Sequence, residues 1–194
     1  MCHTIHLLRL AFVAGVVVGW IPSPSLLSAQ ARNETFTAIG SLKTRAGAQV
    51  TAPVTIVVTR LTTDTERDAV VAALKKGGTP GAMQALQAMG DAGFIEIGER
   101  RTPVKYAYVR PMSGGRLITV ISPSPIAHLG AGLPDAPPQA GFDLALAILE
   151  VKGDGAGTGE LAPAATLKIN DAGAIQTQDY GAEAVRLTNV QAKK

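Results

Sequence analysis

Few side chains in this sequence have the types and spacing that chemistry needs. His128 stands in a proline-rich stretch, residues 122–141, beside Ser122, Ser124 and Asp135. A serine triad needs a nucleophile, an imidazole and a carboxylate within mutual hydrogen-bond reach, and this stretch contains all three types. It has no Gly-x-Ser-x-Gly elbow, and a run broken by Pro123, Pro125, Pro134, Pro137 and Pro138 is a poor frame for fixed geometry. His128 is therefore read as a surface or loop-packing histidine.

Carboxylates fare no better. Glycoside hydrolysis needs two of them about 5 to 9 Å apart across a cleft. Glu96 and Glu99 are close in sequence, but Arg100 and Arg101 follow at once, which reads as a strand end balancing its own charge. Asp143 and Glu150 fall at opposite ends of one expected strand. The glycine-rich run 152–160 holds Asp154 and Glu160, too few side-chain carboxylates for the six or more oxygens calcium takes. It matches no phosphate loop either, so Asp154-Gly155 is read as a hairpin turn. No catalytic set and no metal site is assigned, and no cofactor is expected.

The N-terminal segment narrows the inventory further. Arg9 precedes an apolar run from Leu10 to Ile21, and a small-residue tail ends Ser28-Ala29-Gln30-Ala31. That is the layout of a cleavable secretion signal, and Pro22 and Pro24 stop the run short of the roughly 20 residues a membrane span needs. Cleavage before Arg32 takes 31 of the 194 residues and leaves 163. Cys2, Trp20, His3 and His6 leave with the signal, so thiol chemistry, disulfides and cysteine-zinc sites are excluded from the remainder. That remainder carries 17 basic and 15 acidic residues, a balance that points away from nucleic acid as partner. It is expected to be exported, periplasmic or extracellular, with no stable membrane anchor after cleavage.

The elements that would position any site follow from periodicity. Residues 35–42 and 50–59 read as strands, the second rich in β-branched side chains. Thr63 and Glu66 offer a capping box at a helix start, with Val70, Val71 and Leu74 at helical spacing and Gly77 as the stop. A second helix is expected over residues 80–89, with Thr79 as its cap and Pro80 in its first turn. Strands are then expected over residues 94–97, 104–110 and 117–121. After the loop 122–141, four more strands, residues 142–151, 160–169, 174–180 and 184–190, are separated by Gly-Asp-Gly, Asn-Asp-Ala-Gly and shorter breaks and read as an antiparallel meander. The expected fold is a single α+β domain over residues 32–194, with a mostly antiparallel sheet, as a sandwich or partial barrel, carrying an inserted helical hairpin.

The stretch Val58-Thr59-Arg60-Leu61-Thr62-Thr63-Asp64-Thr65-Glu66-Arg67-Asp68 resembles a family of uncharacterised secreted bacterial proteins. So do Ala73-Leu74-Lys75-Lys76-Gly77-Gly78, Ala85-Leu86-Gln87-Ala88-Met89 and the ending Glu183-Ala184-Val185-Arg186-Leu187-Thr188-Asn189-Val190. The resemblance implies export, and it implies no activity, cofactor or catalytic residue.

With no catalytic set, the sequence favours a non-enzymatic exported binding domain over its alternatives, a hydrolase using acidic residues and a purely structural envelope protein. The partner would be a protein, an envelope component or a small apolar ligand. Loops longer than about 12 to 15 residues in compact domains are usually functional or disordered, so the contact surface is placed in the loop 122–141, at Ile126, His128 and Leu129.

Overall fold

The computed structural model describes residues 33–43, 47–127 and 139–193. The signal segment, His128 and Leu129 lie outside the described residues.

Ten strands form one antiparallel sheet. They are β1 (Glu34–Lys43), β2 (Gln49–Val58), β3 (Gly93–Ile97), β4 (Arg100–Val104), β5 (Tyr106–Met112), β6 (Gly115–Ser122), β7 (Leu144–Lys152), β8 (Ala156–Ile169), β9 (Ile175–Tyr180) and β10 (Val185–Lys193). The order is β4-β3-β2-β1-β10-β8-β7-β6-β5, with β9 added beside β8. The two ends of that path, β4 and β5, are separated by Lys105 alone, and the Lys105 N–H donates to the Ile121 carbonyl at 3.1 Å. Residues 100–112 thus act as one bent strand that pairs with β3 in its first half and with β6 in its second. The sheet curls into a nearly closed barrel, the partial-barrel form of the α+β fold expected from sequence.

Alternation along the strands divides the side chains between lumen and outer wall. Phe36, Ile56, Ile95, Ile118, Leu149, Leu161 and Leu187, each at most 2% exposed, meet in one core cluster that draws on strands all the way round. With β4–β5 taken as one bent strand and β9 off the path, eight strands go round; a barrel of about eight strands is just wide enough for side chains to fill, and branched residues fill this one. A gap among the described residues beside Gly40, Val54, Ile97 and Val185 measures about 10 Å³, room for one water molecule at most.

The outward residues Tyr106, Ile121, Leu144, Leu146 and Leu167 form a second cluster with the helix α1 (Asp64–Gln87). Its start is the expected capping box: the Glu66 N–H donates to Thr63 Oγ1 at 3.2 Å and the Thr63 N–H to Glu66 Oε2 at 2.8 Å. Burial raises the Glu66 carboxyl, but hydrogen bonds from Thr63 and Arg60 outweigh it and hold the group below the usual carboxylate range. At Gly78 the backbone leaves helical geometry, with φ 61° and ψ −156°, a conformation open to glycine. The break folds the chain back on itself. A Cβ on Gly81 would lie 2.5 Å from the Ala73 carbonyl oxygen, whereas eight residues of unbroken helix would separate the two by about 12 Å. The helical hairpin is therefore present, and its apolar faces, Val70, Leu74, Ala82 and Leu86, lie against the barrel wall. Among the described residues, no helix is long and apolar enough to cross a membrane.

Two threonines tie the hairpin segment to the sheet. The Ala107 N–H donates to Thr62 Oγ1 and the Leu167 N–H to Thr79 Oγ1, both at 2.9 Å and both buried. The second bond shows that the Thr79 hydroxyl serves strand β8. Thr79→Val keeps the shape but strands the Leu167 N–H, and is expected to cost about 1 to 2 kcal/mol, read as a lower urea midpoint at unchanged slope. Burial also pushes the Tyr106 hydroxyl well above the ordinary tyrosine value. A group raised in this way contributes stability that is intact below about pH 10, where unfolded tyrosine ionises, and is lost as pH rises further. Urea midpoints are therefore expected to fall above about pH 10, and Tyr106→Phe should make that fall shallower.

Two pairings depart from the sequence reading. Sequence makes Arg100 and Arg101 a charged strand end and Val104 the start of the next strand, yet Arg100–Val104 is a strand of its own that pairs fully with β3, with Glu96 opposite Arg101. The final strands are not a simple meander, because β8 is 14 residues long. Its first half pairs with β10 and its second with β9, and β10 goes on to pair with β1.

Candidate functional site

The barrel has two unlike ends. At one end, the segment after β6 crosses the opening: the Ile126 N–H donates to the Pro163 carbonyl at 2.8 Å and the Ile126 side chain, 7% exposed, joins the lumen core. Ile126, assigned to a contact surface from sequence, is thus placed as a plug. Ser122 beside it is fully buried, and its Oγ accepts the Ser124 N–H at 3.1 Å.

At the other end, where β1 begins and the β5–β6 and β7–β8 hairpins turn, the lumen carries charge. Alternation points Glu34 inward with Phe36 and Ala38, and Arg116 inward with Ile118 and Val120. Across the barrel the two meet in a bidentate pair: Arg116 Nη1 donates to Glu34 Oε2 at 3.1 Å, and Nη2 donates to Oε1. The Arg116 guanidinium also sits 5.8 Å from the centre of the Phe36 ring, within reach of a cation–π attraction. The Glu34 side chain is 6% exposed and that of Arg116 22%, so the acid lies deep and the cation lies nearer solvent.

Along the hairpin ends of β5–β8, beside Arg116, lies a groove of about 350 Å³. Arg116 and Val151 belong to its wall, and its other lining residues include Met112, Glu150, Lys152 and Thr158, which alternation turns outward. Its wall is partly bare backbone. A Cβ on Gly115 would run into the Val151 carbonyl, and one on Gly157 into that of Glu150, so the close approach of these strands requires glycine at both positions. Wider depressions exist between α1 and β8–β9, about 560 Å³, and beside Leu42 and Tyr180, about 470 Å³. None of the described ion pairs opens into either.

The remaining sequence candidates do not converge. Glu96 pairs with Arg101, whose guanidinium covers the Phe94 ring at 4.5 Å. Asp143 precedes β7 and Glu150 lies near its far end, as expected. Asp154 Oδ1 accepts the Ala156 N–H at 3.0 Å and Gly155 has φ 87°, which is the expected turn. Among the described residues no group of three or more His, Cys, Asp or Glu side chains is placed to hold a metal. Comparison with protein families, curated proteins and solved structures finds no match to this chain.

The sequence reading missed Glu34 and Arg116. Their signal was a charged residue on the apolar parity of a strand, Glu34 before Phe36 and Arg116 before Ile118, which is where a buried charge announces itself.

Proposed function

We propose that this chain is an exported, non-enzymatic binding domain whose ligand contact is the mouth of the barrel at Arg116. The observation that supports this reading is the Glu34–Arg116 pair at the mouth of a lumen filled mainly by apolar side chains. Taking charges out of water is costly, and a hydrophobic pair of similar volume is often as stable or more so. An ion pair at the mouth of the barrel is therefore a weak means of stabilising the fold and a good means of presenting an oriented guanidinium. The packed lumen argues in the same direction, since a ligand has no room inside.

A thermal-melting panel of divalent metals, envelope glycans, fatty acids and phospholipids tests the reading. A ligand that binds only the folded state raises the midpoint by mass action, and at least one class is expected to do so. A flat panel around one cooperative transition would contradict a small-ligand site. It would favour the purely structural reading or a protein partner.

A further inference from the structure

We propose that Met112 is a reversible oxidation site, the position at which peroxide-class two-electron oxidants modify this protein first. The first ground is access. The sequence has four methionines, Met1, Met83, Met89 and Met112. Met83 lies on the helical hairpin and Met89 just after it; both are half-buried, and Met89 packs against the second core cluster. Met112 ends β5 and is 44% exposed. Its cross-strand partner is Gly115, which has no side chain to cover the thioether, and Ser113 and Gly114 beside it are exposed too. The groove along the hairpin ends opens next to it, so a small oxidant reaches this side chain without any movement of the chain.

The second ground is the absence of a competitor. Cys2 is the only cysteine in the sequence, so among the described residues no thiolate takes the oxidant first. A sulfur lone pair of Met112 attacks one oxygen of hydrogen peroxide and the O–O bond breaks. Sulfur keeps that oxygen, having given up two electrons, and the other oxygen leaves as water. The return step needs two thiols of a sulfoxide reductase, which become a disulfide while the oxygen leaves as water.

The third ground is tolerance. A sulfoxide is polar and disrupts a core that holds it. Met112 belongs to neither core cluster, so its sulfoxide meets solvent and the fold keeps its stability. The same change at Met89 would set a polar group against the cluster under the hairpin. Reaction at Met112 therefore consumes oxidant at a harmless position and leaves the product open to repair.

Limited hydrogen peroxide treatment of the purified protein, followed by peptide mass mapping, tests the proposal. The Met112 sulfoxide is expected to form about threefold or more faster than that of Met83 or Met89, following exposure. The thermal midpoint should not move while Met112 alone is modified, and a methionine sulfoxide reductase should restore the parent mass. Met112→Leu, a volume-conserving change at the surface, should remove the fast phase and leave the slow reaction at Met83 and Met89. Equal rates at the three positions, or a fast phase that survives in Met112→Leu, overturns the proposal. So does a midpoint that falls in step with the Met112 sulfoxide, or a sulfoxide that the reductase cannot reach in the folded protein.

Discussion

Replacing Glu34 with leucine is expected to lower stability by about 3 kcal/mol, because it leaves the Arg116 guanidinium in the barrel mouth without its carboxylate. Glu34→Leu/Arg116→Met should regain most of that loss, since the buried charge goes as well. Urea denaturation of both single variants, the double variant and the parent gives the coupling energy directly. A double variant near parental stability that no longer binds ligand would show the pair to be retained for recognition. If the double variant were as unstable as the sum of the singles, the pair would be a packing element and the functional reading of the mouth would lose its support.

Ile126→Ala is expected to cost about 2 to 3 kcal/mol, the range for removing most of a buried branched side chain and leaving a cavity. Ile126 comes from an irregular segment, yet it is 7% exposed and anchored by its N–H to Pro163. The loss should appear in thermal melts without any change in ligand binding at the opposite end of the barrel. A variant of parental stability would mean that the segment does not close the barrel. A variant that loses ligand binding while remaining folded would restore the contact role that the sequence reading gave to this loop.

The fold was legible where physics is local. Alternation and β-branched runs give most of the strands, and Thr63 with Glu66 marks the helix start through a cap that forms as the spacing requires. Gly77-Gly78 marks the hairpin turn for the same reason. What sequence left open is what depends on partners distant along the chain. Nothing local in Arg100-Arg101-Thr102-Pro103-Val104 marks it as a strand, because its apolar content is low and its stability comes from β3. Closure through Lys105 is likewise a property of the curled sheet. The choice of β1 and β8 as partners for β10 is set by register around the barrel.

The candidate site was less legible still. Glu34 and Arg116 are 82 residues apart; the parity of each marks it as inward, but nothing local names the other as its partner until the barrel brings the two together. Ile126, an apolar residue between prolines, reads as a contact residue, whereas the fold buries it in the core. Its burial depends on the opening it fills.

The most direct test of the central claim, that ligand is taken at the ion-paired mouth of the barrel, is amide chemical-shift mapping of the protein with the strongest stabiliser from the melting panel. The account places the largest shifts at residues 112–116 and 156–158, around Arg116. Shifts centred on residues 122–127 at the plugged end, or on β9, would contradict it.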